Sequence, residues 1–317
     1  MDDIRISVKE SLELEVYHFN KNITIIITII EALELYYKVR NIKIREIIIP
    51  ENINLSDSFL KILYLISKDK PETIISNLPE CIKTNPPSEN AFFELNICIP
   101  YRARTNNAFR KEQLVEFSQH MSDFLEKKEI TYKLIILEQN NDLPFNRGLL
   151  LNVGFIETEK EVRSKVQYYC HHNTDLFPED LTLDYSYTPQ KEIRDLFGYH
   201  DGLGAICLVN RKDFSDINGF ANNMDGWGND DILLKRRANR ANIKINRDQY
   251  NIGVREISHE RDSSFNDINA KKINGNITGL DNISYIINKK HIGKVVLSEL
   301  ETIKDPSLVH YLINFEI

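Results

Sequence analysis

From Leu95 onward the chain alternates short, apolar, strand-like runs with longer segments of helical period, and that alternation confines it to the α/β layer folds. Leu95 to Tyr101 reads as a strand. Phe109 to Lys127 sets Leu114, Phe117, Met121 and Phe124 on one helical face. Lys133 to Leu137, Val166 to Cys170 and Ala205 to Val209 read as further strands, and Asp231 to Ala241 as a helix. A length of 317 residues suits one large domain with a small companion.

The break before this pattern is Thr84-Asn85-Pro86-Pro87-Ser88-Glu89-Asn90, where two prolines and small polar residues interrupt the periodicity. The expected division is a small domain over residues 1–88 and a main domain over residues 89–317. The prefix reads as mainly helical. Ser56 and Asp57 can cap a helix with Phe59, Leu60, Leu63 and Ile66 on its apolar face. Pro71 suits the first turn of another helix carrying Ile74, Ile75 and Leu78. Two short helices invite a helix-turn-helix reading, but the charges from Asp57 to Lys83 nearly cancel, which removes the usual support for DNA binding. A helical prefix packed on the main domain is the favoured reading; a docking module for a protein or peptide acceptor is the other.

The net charge of −7 argues against a general nucleic-acid binder. The cysteines Cys81, Cys98, Cys170 and Cys207 are widely spaced, with no C-x-x-C pair, so neither a disulfide framework nor a zinc ribbon is expected. Cys98 and Cys207 fall in apolar runs and read as buried free thiols. The start, Met1-Asp2-Asp3-Ile4-Arg5, lacks the pattern of a signal peptide, and the apolar stretch Ile23 to Ile30 is too short to span a bilayer. A cytoplasmic protein without a transmembrane segment is expected.

Four polar clusters fall at the ends of the predicted strands, where open α/β sheets bind ligands. The first, Pro100-Tyr101-Arg102-Ala103-Arg104, offers two guanidinium forks suited to phosphate, against the ordinary reading of solvated surface arginines. The second is Glu138-Gln139 followed by Phe145-Asn146-Arg147. An aromatic beside an arginine can hold a flat base, or Phe145 can simply pack inward. The third, His171-His172-Asn173-Thr174-Asp175, ends in a carboxylate able to ligate a phosphate-bridging cation, or to cap a turn. Its histidine pair hints at zinc but has no matching ligand set. The fourth, Asp225-Gly226-Trp227-Gly228-Asn229-Asp230-Asp231, joins a flat face for a sugar to paired carboxylates. These can accept a proton from a hydroxyl or cap a helix. Glu256 and His259 further on could complete a metal site.

In this order, from about Leu95 to the C-terminus, the clusters resemble the β-1,4-galactosyltransferase family and its bacterial relatives. The matching elements are Pro100-Tyr101-Arg102-Ala103-Arg104, Glu138-Gln139, Phe145-Asn146-Arg147 and Leu151-Asn152-Val153-Gly154-Phe155. Ile217-Asn218-Gly219-Phe220 with Asn222, Gly226-Trp227-Gly228 and His259-Glu260-Arg261-Asp262 follow. The resemblance implies a GT-A fold, a Rossmann-like mixed sheet. It also implies a manganese- or magnesium-dependent, inverting transfer of galactose or N-acetylgalactosamine from UDP to a glycan hydroxyl. A peptide- or protein-modifying transferase and a non-catalytic nucleotide-sugar-binding relative are the alternatives.

The same resemblance places Arg102, Arg104, Phe145 and Arg147 along the UDP site, with Arg261 nearby. Asp175 and His259 become metal ligands, and Trp227 sits on a mobile loop over the donor. Asp230 becomes an acceptor contact and Asp231 the general base. Two departures from the family pattern matter. Asn173 stands where the first aspartate of the Asp-x-Asp motif belongs, so Glu256, three residues before His259, is expected to restore the lost charge. Gly202 stands where a bulky residue borders the donor sugar, which leaves room for an N-acetyl group.

Overall fold

The computed structural model describes residues 3–10, 13–18, 23–28, 43–49, 74–76, 93–102, 108–161, 165–198, 202–226, 228–257, 266–274, 276–297 and 302–315. The chain divides into two compact units, residues 1–93 with 163–166, and residues 94–162 with 167–317.

The first unit holds a five-stranded sheet of β1 (Asp3–Glu10), β2 (Glu13–His18), β3 (Ile23–Thr28), β4 (Lys43–Ile48) and β5 (Ile74–Ser76), ordered β3-β2-β1-β4-β5. β1, β2 and β3 pair antiparallel, whereas β1 with β4 and β4 with β5 pair parallel. Every described element of this unit is therefore a strand. The helix expected to carry Ile74 and Ile75 is corrected to β5, in which these residues lie opposite Glu46 and Ile47. Branching at Cβ stiffens both side chains and suits a pleated surface better than a helix. The Ser56–Ile66 helix and the Thr84–Asn90 break lie outside the described residues.

The second unit is built on an eight-stranded mixed sheet. Its strands, beyond the N-terminal unit, are β6 (Phe93–Tyr101), β7 (Tyr132–Gln139), β8 (Val166–His172), β10 (Glu192–Phe197), β11 (Ile206–Asn210), β12 (Lys244–Asn246), β14 (Tyr285–Val296) and β15 (Thr302–Phe315). Their order is β12-β10-β11-β8-β6-β7-β15-β14, and a two-stranded ladder of β9 (Leu176–Pro178) and β13 (Val254–Glu256) stands beside them. β6 and β7 are parallel, and α1 (Ala108–Lys127) makes the crossover between them. Its Leu114, Phe117 and Met121 are fully buried, as their spacing predicts. Burial of both faces explains why β6, β8 and β11 are dominated by apolar residues, and the buried polar Asn96 of β6 and Gln167 of β8 bond to each other. Cys98 and Cys207 are buried free thiols, as is Cys170. No described helix is long and apolar enough to cross a membrane.

α2 (Arg147–Glu159) lies in the core, with Leu150, Leu151 and Val153 fully buried. Its buried Asn152 is the fastener between this helix and the segment before the Trp227 loop. The Asn152 amide donates to Phe220 O (2.8 Å) and Asn222 Oδ1 (2.8 Å), and its Oδ1 accepts from Phe220 N (2.9 Å). Asn152→Ala leaves buried backbone groups of Phe220 without partners, so it should destabilise the protein by about 1–3 kcal/mol in urea denaturation. An unchanged midpoint and slope would show that water replaces the amide.

Candidate functional site

The site forms where the ends of β7 and β8 meet the segment before β11 and the start of α4 (Asp230–Arg240). Its geometry begins with Gln139, the last residue of β7. Its Oε1 accepts from Asn146 N (2.9 Å), and its amide faces the carbonyls of Leu143 (2.9 Å) and Pro144 (3.1 Å). Asn146 then caps α2 by accepting from Leu149 N (2.9 Å) and holds the next loop by donating to Asn222 O (2.6 Å). Half-buried Phe145 is tied to that loop too, its carbonyl accepting from Gly226 N (2.7 Å). Arg147 is thus aimed by a turn whose conformation is set on both sides.

The Arg147 guanidinium gathers three parts of the site. Its Nε donates to Asn173 Oδ1 (3.1 Å) past the end of β8, and its Nη1 pairs with Asp230 Oδ2 (2.8 Å) at the start of α4. Its Nη2 donates to the carbonyl of Gly204. The face of the fork lies 5.4 Å from the Phe220 ring centroid. Asn173 is therefore more than a lost charge: a neutral amide oxygen accepts from Arg147 and leaves the guanidinium charge to Asp230. Arg102 donates to the Asn141 carbonyl.

Asp231 is the chemically distinctive carboxylate. Burial, reinforced by the neighbouring Asp230 charge, raises its pKa to about 6, while the Ile232 N–H and Arg147 pull the other way. Its Oδ1 accepts from Ile232 N (2.8 Å), and its backbone carbonyl accepts from Leu203 N (3.2 Å). The simple helix-capping reading does not describe this pair. The N-cap position is Asn229, which is left-handed (φ 70°) and makes no side-chain cap. The turn before it also uses positive φ at Gly226 (66°) and Gly228 (108°), which suits glycine on both sides of Trp227. Buried Asn269 stitches this turn by donating to Asp225 O (2.8 Å) and Gly228 O (3.0 Å).

Gly202 packs against Asp231. A Cβ built there would overlap the Asp231 carboxylate and lie 2.9 Å from Asp231 Cβ. Its lack of a side chain first of all makes room for Asp231, and only secondarily for a ligand.

The metal side of the site is partly described. Asp175 is 4% exposed, and its carbonyl accepts from Ile257 N (2.8 Å), which brings the end of β13 against the turn after β8. His259 is two residues further on. The buried Asp175 carboxylate is an oxygen donor suited to a divalent cation such as manganese. The β9–β13 register sets Glu256 opposite Leu176, and Glu256 is exposed. Glu256 thus lies in a more solvated setting than buried Asp175. Among the described residues, no group of three His, Cys, Asp or Glu side chains is placed to hold a metal ion. Arg104, Trp227, His259 and Arg261 lie outside the described residues. His171 and His172 do not make a zinc site. Burial lowers their pKa values to about 3 and about 4, so both are neutral core residues.

Sequence reasoning missed Gln139 as an organiser, and it missed Asp195 and Arg247 entirely. Arg247 pairs with buried Asp195 at 2.8 Å and also donates to Gly202 O (2.6 Å). An unbalanced acid in the strand-like run Glu192–Phe197 was the available signal.

Two family models match consecutive parts of the chain. One, described as the N-terminal region of glycosyl transferase group 7, covers residues 63–188, and the other, described as the N-terminal domain of galactosyltransferase, covers residues 192–260. Human β-1,4-galactosyltransferase 7 is 29% identical over 187 residues, 56% of this chain and 54% of that one. Mouse β-1,4-galactosyltransferase 4 is 31% identical over 60% of this chain and 55% of its own. The Caenorhabditis elegans xylosylprotein 4-β-galactosyltransferase is 26% identical over 65% and 75%. The chain thus spans about half the length of the first two relatives.

A crystal structure of a substituted Drosophila β-1,4-galactosyltransferase 7 in complex with manganese, UDP-Gal and xylobiose superposes with a TM-score of 0.59. It is 24% identical and covers 71% of this chain and 95% of that one. The catalytic domain of the same Drosophila enzyme with xylobiose gives 0.58 at 23% identity. The eight-stranded mixed sheet is therefore a GT-A fold. With the Phe-Asn-Arg turn, the Gly-Trp-Gly loop and the paired aspartates all inside the matched residues, the chain belongs to the β-1,4-galactosyltransferase family.

Proposed function

We propose that this chain is an inverting glycosyltransferase that moves galactose from UDP-galactose to a hydroxyl of a saccharide acceptor with the help of a divalent cation. The observation that carries the reading is Asp231. It is a largely buried carboxylate with a pKa of about 6, held beside the Arg147–Asp230 pair at the mouth of a GT-A sheet. A base with that pKa is deprotonated at neutral pH yet still basic enough to take a hydroxyl proton.

In the proposed step the acceptor oxygen bonds to the anomeric carbon as its proton passes to Asp231. The bond from that carbon to the diphosphate oxygen breaks, and UDP leaves with the electron pair. One displacement inverts the configuration and turns an α-linked donor into a β-linked product, so no protein nucleophile is required. Arg102, Arg104, Phe145 and Arg261 bind the nucleotide, Arg147 fixes the geometry, and Asp230 orients the acceptor. Trp227 closes over the donor from its glycine-flanked turn. Asp175 and His259 hold the cation, which when bound offsets charge on the diphosphate. The names of the relatives favour xylose-terminated saccharides as the first acceptors to try. Donor breadth is the finer part of the proposal, with UDP-N-acetylgalactosamine used alongside UDP-galactose. A cytoplasmic setting rests on the three buried free thiols.

The direct test is a nucleotide-sugar panel with manganese and a xyloside acceptor, scored by UDP release. UDP-galactose should be consumed, and UDP-N-acetylgalactosamine should follow within about 200-fold, the span that about 1–3 kcal/mol of discrimination by shape allows. Preference for galactose by more than about 200-fold would remove the second donor.

Asp231→Asn should lower kcat by about 10²–10⁴-fold with UDP affinity nearly unchanged, and near-normal turnover would reassign the base. For the parent, kcat should be flat above neutrality and fall as pH drops through about 6, because protonation removes the base form of Asp231. An acid limb near 4 would mean that Asp231 is solvated during turnover. Gly202→Ala should reduce kcat for both donors together by pushing the Asp231 carboxylate aside. A change in donor preference at full kcat would return Gly202 to the donor pocket. Chelation should abolish transfer and manganese restore it. Asp175→Asn should raise the manganese requirement sharply while Glu256→Gln leaves it close to the parent; the opposite pattern would make Glu256 the ligand.

A further inference from the structure

Behind the site runs a short strap, Gly202-Leu203-Gly204, whose peptide groups are held from several directions. At one end the Gly202 carbonyl accepts from Arg247 Nη2 (2.6 Å). At the centre Leu203 N donates to the Asp231 carbonyl (3.2 Å). At the other end the Gly204 carbonyl accepts from Arg147. Ala205 N, just beyond, donates to Phe197 O (3.1 Å) in β10. Two guanidinium groups thus grip the two ends of the strap, and the base leans on its middle.

Arg247 is itself held by Asp195, on β10, through Nε (2.9 Å) and Nη2 (2.8 Å) to the same oxygen, Oδ2. The Gly204 N–H also acts on the Asp195 carboxylate. The Arg247 guanidinium carbon lies over the Tyr250 ring, 4.4 Å from its centroid. Asp195 is fully buried, and its Oδ1 has no hydrogen-bond partner among the described residues. Burial raises its pKa to about 7 in spite of the arginine. A buried ion pair of this kind is poor value as a strut, because apolar side chains of similar size commonly hold a core as well or better. What apolar residues cannot do is fix a carbonyl at Gly202 by a directional bond.

We propose that Asp195 and Arg247 are positioning residues for sugar transfer: together they hold the Gly202–Gly204 strap, and the strap holds Asp231 at the distance and angle its proton transfer needs. The inference rests on the reading of Asp231 as the base. Gly202 is the point of transmission, since its backbone is bonded to Arg247 while its bare Cα abuts the Asp231 carboxylate. Displacing a reacting group by about 1 Å can cost about 10²-fold in rate, so the brace need move little to matter.

The test is a double-mutant cycle between Arg247→Met and Asp231→Asn, with Arg247→Lys as a milder third variant. Arg247→Met should lower kcat by about 10²-fold with little change in the KM for UDP-galactose. The same change in the Asp231→Asn background should have almost no further effect, because the group it positions is already disabled. Arg247→Lys keeps the charge for Asp195 without the fork and should fall between parent and Met. Equal losses in both backgrounds, or full kcat in a folded Arg247→Met, would overturn the proposal. If Arg247→Met does not fold, the lysine variant is read by the same two criteria.

A crystal structure of the Met or Lys variant gives a readout without turnover. The Gly202 carbonyl should rotate away and the Asp231 carboxylate should shift with it; an unmoved strap would refute the brace. A parent that transfers no sugar would sink the functional reading while leaving this structural arm decisive.

Discussion

The three-way grip of Arg147 is the interaction on which the rest of the site depends. One guanidinium joins the end of β8 through Asn173, the strap before β11 through Gly204, and the start of α4 through Asp230. These elements are far apart in sequence, and the fork adds side-chain bonds to the backbone contacts from Asn173 N to Ala205 O (3.1 Å) and from Leu203 N to Asp231 O (3.2 Å). Only a planar, permanently charged fork can satisfy an amide oxygen, a carboxylate and a carbonyl at once, and a lysine ammonium on a flexible stem could not keep the same geometry. The aim of the fork is itself inherited from Gln139 and the Asn146 cap. A chain of directional bonds therefore runs from the end of a core strand to the paired aspartates.

That arrangement explains how two adjacent carboxylates acquire different roles. Asp230 is ion-paired with Arg147. Asp231 is pushed up to a pKa of about 6 by burial and by the neighbouring Asp230 charge. Two like groups are separated by environment rather than by residue type, which is how acid and base assignments commonly arise. The same crowding accounts for glycine at position 202, because a Cβ there would overlap the Asp231 carboxylate.

Much of the second unit was legible in the sequence, for reasons that can be named. Strands buried on both faces, such as β6, β8 and β11, are rich in apolar residues, and α1 declares itself by Leu114, Phe117 and Met121. β10 was not legible because Arg194 and Asp195 break its apolar pattern. The long β14–β15 hairpin was hidden by its lysines, which are spread over exposed positions. In the first unit, Ile74 and Ile75 satisfied a helical spacing by chance and their β-branching decided the outcome. At the site, short motifs disclosed Arg147, Asp230 and Asp231. The Asp195–Arg247 pair is separated by 52 residues, so its one local trace is the unbalanced acid in β10. Glu256 was singled out by charge arithmetic alone; it is exposed on β13, whereas Asp175 is buried.

The central claim is that Asp231 drives a single displacement at the anomeric carbon of UDP-galactose. It is tested most directly by following the anomeric proton of the product by NMR during transfer to a saccharide acceptor. A β-linked galactoside, formed in step with loss of the α-linked donor, is the predicted result. An α-linked galactoside, or release of UDP with free galactose alone in the presence of a competent acceptor, would contradict the account.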